Sequence, residues 1–542
     1  MRKTAAVLAL FICVQSFGQS NNFNLGKNLE IQYSILRELG ASYVDSIDYE
    51  KIMPVGIEAM LQTLDPYTTY IPEEDEENLE MLTTGTYGGI GAIITKRVGG
   101  GVVISQPYPN SPAVKYGLEP GDTIWEIDGN SVKDLTSDES SSRMKGQPGT
   151  EVRFKVEKGR TGDTVDVTVI RERIHVSSIE YSGIIRDSIG YVLISGFTDK
   201  MSQELRTAVL DLKDKGMKRL VIDLRDNGGG VMDEAVTMAS LFVPKGTLVV
   251  SSRGRNESMN NEYYTTLDPI DTEIPLLVMV NSTTASASEI FSGAMQDLDR
   301  GVVAGRRTYG KGLIQSIRQT PYNGKVKLTT GKYYTPSGRC VQAVDYSHRN
   351  EDGSVGFIPD SLKKEFKTVS GRSVYDGGGI TPDIEVESKA YSRPAYAVAY
   401  GNLTGLYALE YYKKHESIAP AADFHLTDAE YSEFAEFAAA QDFDIRSSAE
   451  TALDALVKAA KQDGLYDQYK AEIDALSSRI KLDKKQLLEL KRDEIRPLVE
   501  EEIVSRYYFE SAGNVILLRH DEQLDAALDK WDGFSFAVEQ KQ

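Results

Sequence analysis

Two residues with the chemistry of acyl transfer lie 25 positions apart, a serine at the start of a predicted helix and a lysine between two glycines. Ser286 follows an apolar strand pattern and opens the helix pattern, so unpaired backbone N–H groups beside its hydroxyl could stabilise an oxyanion. Lys311 stands in a glycine turn, where burial would lower its pKa and let it act as a general base. The two residues predict a nucleophile and its base, provided that the fold brings them together.

Each of these residues also has an ordinary structural interpretation. Ser286 and Glu289 fit the S-x-x-E capping box, and this pattern taken alone favours a helix cap over a nucleophile. A lone lysine is more often an exposed charge than a buried base. The stretch from Gly305 to Lys311 also matches the phosphate-binding pattern G-x-x-x-x-G-K, but Gly312 stands where a Ser or Thr must bind magnesium. A phosphate-binding loop is therefore excluded.

Histidine and cysteine offer little alternative chemistry. The chain has five histidines and two cysteines, and neither type shows the spacing of metal ligands, so no metal and no other cofactor is predicted. None of the histidines lies in a recognisable catalytic motif, so a Ser-His-Asp triad is not supported. The histidines are His175, His348, His415, His425 and His520.

Composition and the first residues indicate an exported globular protein. The 542 residues correspond to about three to four domains, and 41% of them are hydrophobic. The net charge of −20 argues against nucleic acid and anionic membrane surfaces as partners. Arg2 and Lys3 precede about ten apolar residues, too few for the roughly 20 of a membrane span, and residues 1–20 are predicted to be a signal peptide. Its removal would take Cys13 and leave Cys340 alone, in a soluble periplasmic or extracellular protein without an intramolecular disulfide.

Behind the signal peptide, four segments with different patterns are predicted. The apolar spacing is helical in the N-terminal region, residues 21–84, most clearly over 28–64. Short β-type runs at 102–105, 123–127, 152–156 and 165–170 mark a β-rich segment over 85–176. Strands and helices alternate over 177–390, which indicates an α/β layer that positions both Ser286 and Lys311. Residues 391–542 are helical again and are interpreted as a packing or oligomerisation appendage.

The β-rich segment resembles a PDZ domain. The resemblance rests on four motifs in order: Gly89-Ile90-Gly91, Ser111-Pro112-Ala113, the run from Gly117 to Asp122, and Ile127-Asp128-Gly129. It implies that a polypeptide C-terminus binds as an added strand, with its carboxylate on successive backbone N–H groups. The predicted carboxylate-binding residues are Gly89, Ile90, Gly91 and Ala92.

The wider motif set resembles the carboxyl-terminal processing proteases, also called tail-specific proteases. The resemblance covers residues 29–387. Its motifs are the runs from Asp223 to Gly230, Ser286 to Ile290, Thr308 to Gly312, Tyr334 to Arg339 and Gly379 to Asp383, with Gln296-Asp297 and Gln315. The chain departs from the family at Gly228, where proline is usual, and in a polar insertion over residues 344–375.

This resemblance implies a role for each site residue. Ser286 is the nucleophile, Lys311 the general base, and Gln315 holds the lysine side chain in position. The oxyanion hole consists of the backbone N–H of Ala287 with that of Gly229 or Gly230, where the lack of a Cβ permits close approach. Three further residues lie at positions that support activity in the family: Glu289, Asp297 and Thr308.

The implied fold is a multidomain α/β protein with a crotonase-like protease core, an inserted PDZ domain and helical N- and C-terminal regions. The implied activity is cleavage of polypeptides that have unstructured C-terminal tails, without an integral membrane span, in a homodimeric or adaptor-bound form. Two alternatives stay open. A catalytically inactive PDZ adaptor would bind tails and cut nothing, and a crotonase-type enzyme would turn over acyl-CoA thioesters.

Overall fold

The computed structural model describes the backbone of residues 2–97 and 99–536, and the side chains from residue 22 onward within those ranges. The side chains of the predicted signal peptide, residues 1–20, lie outside this description. The helices, in chain order, are α1 (Arg2–Ser42), α2 (Tyr49–Gln62), α3 (Glu76–Thr84), α4 (Pro112–Lys115), α5 (Ser137–Met144), α6 (Met201–Asp214), α7 (Met232–Ser240), α8 (Ala287–Asp297), α9 (Arg393–Tyr400), α10 (Leu403–Lys414), α11 (Asp428–Ala439), α12 (Ser448–Gln462), α13 (Lys470–Ile480), α14 (Lys484–Leu490), α15 (Arg492–Tyr508), α16 (Glu510–Arg519) and α17 (Glu522–Trp531).

The structure has a strand at each of the four predicted β-type runs. They are β1 (Thr69–Ile71), β2 (Thr86–Gly89), β3 (Ala92–Lys96), β4 (Val102–Pro107), β5 (Thr123–Ile127), β6 (Asn130–Ser131), β7 (Glu151–Glu157), β8 (Thr164–Ile170), β9 (Glu172–His175), β10 (Ile179–Ile185), β11 (Ile189–Ile194), β12 (Arg219–Asp223), β13 (Leu248–Gly254), β14 (Asn261–Tyr264), β15 (Leu276–Val280), β16 (Val302–Gly305), β17 (Leu313–Gln319), β18 (Lys325–Tyr334), β19 (Val344–Arg349), β20 (Val355–Phe357), β21 (Glu365–Lys367), β22 (Ser373–Tyr375) and β23 (Ile384–Glu385).

One compact unit comprises residues 2–73 and 315–329. The predicted helix over 28–64 is divided here into α1 and α2, which residues 43–48 separate. Asp48 caps α2, because its side chain accepts a hydrogen bond from the Glu50 N–H at 3.1 Å. β1 pairs antiparallel with the start of β18, where Thr69 lies opposite Lys327.

The rest of the described chain forms the second unit, which begins at residue 74. Its β-rich part contains an antiparallel sheet in the order β3-β4-β5-β7-β8, with β6 beside β5 and a separate pair of β2 and β9. The four predicted runs correspond to β4, β5, β7 and β8. Along β7, Val152, Phe154 and Val156 are buried, as the two-residue period of a strand requires. β3 is a terminal strand of this sheet.

A six-stranded sheet in the order β10-β11-β12-β15-β16-β23 forms the framework of the candidate site. All neighbouring pairs from β11 to β23 are parallel, and β10 is antiparallel to β11. Ile222 and Val278 face a core that includes side chains of α6, α7 and α8, whereas Val221 and Leu277 face a core that includes side chains of α17. Both faces are covered, which explains why these strands appear in the sequence as unbroken apolar runs.

The C-terminal helices have a core of their own, built by α9, α10, α11, α14, α15 and α16. Lys491 separates α14 from α15. α17 packs against the six-stranded sheet through Leu528 and Trp531. Over the described residues, no helix is both long and apolar enough to span a membrane. The structure is thus the predicted mixed α/β protein with a helical C-terminal part, while the crotonase-like detail stays a prediction.

Candidate active site

Ser286 lies in a strained turn between β15 and α8. Its φ of +58° and ψ of −117° are unusual for a residue with a Cβ, and such backbone conformations cost about 1–3 kcal/mol and cluster at functional sites. The preceding residue anchors the turn, since the Ala285 N–H donates to the Asn227 carbonyl at 3.0 Å. Ser286 itself is half-buried. The turn therefore presents the serine at the carboxyl end of a buried strand, where parallel-sheet enzymes place their reacting groups.

The Glu289 carboxylate joins the serine turn to the lysine turn. Its Oε2 accepts the backbone N–H of Ser286 at 2.9 Å and that of Lys311 at 2.8 Å. Its Oε1 accepts the Gly310 N–H at 2.8 Å and the Thr308 hydroxyl at 2.6 Å. The side chain is fully buried, and burial raises the pKa of Glu289 while these four hydrogen bonds act in the opposite direction. One carboxylate oxygen thus holds the main chains of both candidate catalytic residues.

Tyr333 joins the same two residues through their carbonyl groups. Its hydroxyl oxygen lies 2.6 Å from the carbonyl oxygen of Lys311 and 3.1 Å from that of Ser286, and it can donate its proton to either. The side chain is 1% exposed, so this contact is shielded from water. Sequence reasoning missed Tyr333, which lies one residue before a quoted motif. The only signal was a tyrosine pair at the end of a strand pattern.

The glycines around Lys311 are required by close packing. A Cβ on Gly310, whose φ is +87°, would lie 2.4 Å from the Ala343 Cβ, and a Cβ on Gly312 would lie 2.7 Å from the Gln342 backbone nitrogen. Lys311 between them is half-buried. The predicted tight turn is therefore present, and its backbone is fixed on both sides of the lysine.

The predicted oxyanion donors lie around the serine turn. Ala287 begins α8, so its N–H is one of the helix-start donors without an intrahelical partner. A Cβ on Gly229 would lie 2.8 Å from the Ala287 nitrogen and 2.7 Å from the Ser286 Cβ, so only glycine permits this approach. The Gly229 N–H donates to the Asn227 Oδ1 at 2.9 Å and is used within the loop. Gly230 is exposed beside it, and its N–H has no hydrogen-bond partner among the described residues.

Asn227 organises this loop and was another residue that the sequence did not single out. It is fully buried, and its Nδ2 donates to the Ile194 carbonyl at 2.8 Å. Besides Gly229, its Oδ1 accepts the Ser288 hydroxyl at 2.8 Å, which ties the loop to the first turn of α8. An asparagine between a charged residue and glycines is so common in loops that sequence spacing alone carries little signal.

Two other predicted residues, Asp297 and Gln315, have contacts of their own. Asp297 ends α8, roughly 16 Å along the helix from its start. It pairs with the buried Arg339 at 2.8 Å and accepts the Thr335 hydroxyl at 2.5 Å, so it stabilises the segment after β18. Gln315 lies in β17, in the first compact unit, where its Nε2 contacts the Thr329 hydroxyl at 3.4 Å.

The predicted carboxylate-binding residues form the connection between β2 and β3. Gly89 ends β2 opposite Glu172, and Ala92 begins β3. Between them, the Ile90 carbonyl accepts the Ala113 N–H at 2.8 Å, and the Gly91 carbonyl accepts the Tyr108 N–H at 2.9 Å. Gly91 has a φ of +74°. With its carbonyl groups occupied, this connection leads directly into the terminal strand β3.

Within the described ranges, no group of three or more His, Cys, Asp or Glu side chains could hold a metal ion.

Family models match three stretches of the chain. The model of peptidase family S41 matches residues 188–348, a PDZ domain model matches residues 79–172, and a model described as the C-terminal helical domain of a probable PDZ-protease matches residues 396–530. The S41 match contains Ser286, Glu289 and Lys311.

Individual proteins give the same result. A carboxy-terminal-processing protease of Bartonella bacilliformis is 33% identical over 340 residues, which are 62% of this chain and 77% of that protein. A probable CtpA-like serine protease of Staphylococcus aureus is 34% identical over 331 residues, 60% of this chain and 64% of that protein. The solved photosystem II D1 C-terminal processing protease is 26% identical, with 66% of this chain and 86% of that chain covered and a TM-score of 0.35. The identity to the Bartonella protease over 77% of its length, together with the S41 match, shows that this chain belongs to the carboxyl-terminal processing proteases of peptidase family S41, which are serine-type peptidases.

Proposed function

We propose that this protein is an exported endopeptidase that cleaves polypeptides with unstructured C-terminal tails, using Ser286 as nucleophile and Lys311 as general base. The observation that carries the proposal is the Glu289 oxygen that accepts the backbone N–H groups of both residues. Because one buried carboxylate oxygen holds the backbones of both turns, it sets the distance between them. A nucleophile and its base require such precise placement.

The proposed reaction begins with neutral Lys311. Its amine takes the Ser286 hydroxyl proton while the oxygen attacks the peptide carbonyl, and the N–H groups of Ala287 and Gly230 stabilise the oxyanion. The Lys311 ammonium then protonates the leaving amine as the C–N bond breaks. A water molecule then gives a proton to Lys311 and attacks the acyl carbon. As the ester bond to the Ser286 Oγ breaks and the new carboxyl group leaves, the Lys311 ammonium returns the proton to Ser286. Gln315 keeps its proposed role of orienting the lysine side chain.

Tail recognition is proposed for the PDZ domain. β3 is a terminal strand of the PDZ sheet, so an extended peptide could add to it with its carboxylate at the connection between β2 and β3. Export is supported by the signal-peptide pattern of residues 1–20 and fits a periplasmic or extracellular enzyme. A homodimeric or adaptor-bound form stays a prediction.

Cleavage of a tailed substrate by purified variants tests this proposal. Ser286→Ala and Lys311→Ala are each expected to abolish cleavage while the circular dichroism spectrum and thermal unfolding stay those of the unmodified protein. Ser282→Ala and Lys245→Ala change exposed residues of the same types and should cleave normally. Full activity in either Ser286→Ala or Lys311→Ala would refute the dyad. Tail binding without cleavage by the unmodified protein would support the inactive adaptor instead.

A further inference from the structure

The polar insertion lines a cavity beside the turn that carries Lys311. This cavity, the insertion pocket, has a volume of about 390 Å³. The lysine turn contributes Arg307 and Tyr309 to its wall, the insertion contributes Phe357, Ile358 and Lys363, and Gly378 lies at the far side. Residues 344–375 were predicted only as a polar insertion, but they form the hairpins β19–β20 and β21–β22.

Main-chain hydrogen bonds attach the insertion to the lysine turn. The Ala343 N–H donates to the carbonyl of Gly310, the residue before Lys311, at 2.9 Å. The Ile358 N–H in turn donates to the Ala343 carbonyl at 2.8 Å. The wall of the pocket is therefore hydrogen-bonded, through Ala343, to the residue before the proposed general base, and Tyr309, two residues before Lys311, is part of that wall.

Two cations converge in the pocket. A side-chain atom added at Gly378 would lie 3.2 Å from the Lys363 Nζ and 3.7 Å from the Arg307 Nη1. Lys363 is paired with Asp360 at 2.6 Å, and both Lys363 and Arg307 lower the pKa of that carboxyl. Arg307 has no hydrogen bond or ion pair of its own in the described part of the chain. With one carboxylate against two cations, the pocket is locally positive in a protein whose net charge is −20.

Exposed aromatic side chains complete the pocket. Phe357 is 75% exposed and Tyr309 is 47% exposed, so both can cover the hydrocarbon part of a bound residue. An exposed guanidinium beside aromatic walls suits a side chain with a short apolar stem and a terminal carboxylate.

We propose that the insertion pocket is a substrate subsite that selects an acidic side chain, glutamate or aspartate, close to the bond that is cut. Arg307 would bind the carboxylate, Lys363 would add positive potential, and Phe357 and Tyr309 would cover the stem. This inference rests on the proposed peptidase function and adds a residue preference to it.

Cleavage of paired tail peptides tests the preference. Unstructured peptides in which a single glutamate is moved residue by residue are compared with counterparts that carry glutamine at the same place. In the unmodified protein, one position is expected to favour glutamate over glutamine about five- to tenfold in kcat/KM, the effect of a partly exposed charged hydrogen bond. Arg307→Gln should bring that ratio close to one, and Arg307→Glu should invert it.

The neighbouring Arg306 provides the matched control. It is also exposed, its Nε lies 3.5 Å from a carboxylate oxygen of Glu387, and it does not line the pocket, so Arg306→Gln should preserve the preference. A ratio near one at every position in the unmodified protein, or a preference that survives Arg307→Gln, would overturn the inference alone. The inference would also be overturned if amidation of the peptide C-terminus slowed cleavage by the unmodified protein but not by Arg307→Gln. The pocket would then bind the terminal carboxylate of the chain and not an acidic side chain. Absence of cleavage of every peptide would refute the proposed function and this inference together.

Discussion

Glu289 combines the role of a helix cap with contacts to a distant turn. The S-x-x-E pattern alone favoured a helix cap, and the Glu289 carboxylate does accept the N–H of Ser286, the residue that caps α8. The same oxygen accepts the Lys311 N–H. No local pattern could indicate this contact, because Lys311 lies 22 residues after Glu289. A cap that also binds a distant turn holds the backbones of the proposed nucleophile and the proposed base together.

Tyr333 provides a test of this spacing at the residue scale. Tyr333→Phe removes only the hydroxyl that contacts the carbonyl groups of Lys311 and Ser286. Because the two carbonyl groups lose the buried hydroxyl that they share, we expect kcat to fall about tenfold, the cost of one buried hydrogen bond, with KM little changed. Steady-state kinetics with a tailed peptide measure the split. Tyr334→Phe, at the adjacent position, should leave kcat unchanged, and an equal effect of both variants would count against a positioning role for Tyr333.

At the scale of elements, strands were easier to predict than the contacts that they support. β12, β15 and β16 appear as apolar runs because both faces of their sheet are buried, and the helix start at Ala287 follows from its capping residues. The insertion was harder. Its hairpins β19–β20 and β21–β22 have strands of only three to six residues, which is too short for an apolar alternation to stand out in the sequence. Its pocket depends on Arg307 and Lys363 meeting across 56 positions, which only the tertiary structure shows.

Asp271 links α6 to the loop before β15 and gives an element-scale prediction about pH. Burial opposes ionisation, but Lys213 at 2.7 Å and the N–H groups of Glu273 and Ile274 outweigh it and lower the pKa of Asp271 from 3.8 to about 2. Because the folded pKa lies below the unfolded one, the stabilisation is complete well above pH 4 and is lost as the pH falls towards 2. At pH 7, Asp271→Asn should lower the free energy of unfolding by about 2 kcal/mol.

Urea denaturation of both proteins at pH 7 and pH 3 measures this difference. Between the two pKa values the contribution is only partly present, so the difference at pH 3 should be about half of that at pH 7. Lys213→Met, which removes the partner and not the carboxylate, should show the same trend with pH. A difference that stays constant between pH 7 and pH 3 would contradict the stabilised carboxylate.

At the scale of the whole molecule, the PDZ domain and the C-terminal helices belong to the same compact unit as the protease sheet. The Arg160 guanidinium, in the turn between β7 and β8, lies 3.8 Å from the ring centre of Tyr412 in α10. α17, near the C-terminal end of the described chain, packs on the protease sheet through Leu528 and Trp531. The C-terminal region thus contacts both the domain proposed to bind tails and the sheet that carries Ser286.

Tail recognition makes a prediction at this scale. Amidating the C-terminus of a substrate peptide removes the carboxylate proposed to bind between β2 and β3. We expect kcat/KM to fall about tenfold or more, chiefly through KM, since a charged hydrogen-bonding group is lost from binding. Kinetics on matched acid and amide peptides measure this effect, and acetylation of the peptide N-terminus serves as the control that should have none. Equal kcat/KM for acid and amide peptides would refute carboxylate recognition.

Activation of Ser286 by Lys311 is tested most directly by the rate at which a fluorophosphonate probe modifies the protein, followed by intact mass and peptide mapping. In the unmodified protein, a single adduct on Ser286 is expected. In Lys311→Met the rate should fall by about 100-fold or more, the usual contribution of a general base, while Lys245→Met reacts normally. Modification of Ser286 at an unchanged rate in Lys311→Met would contradict the Ser-Lys dyad.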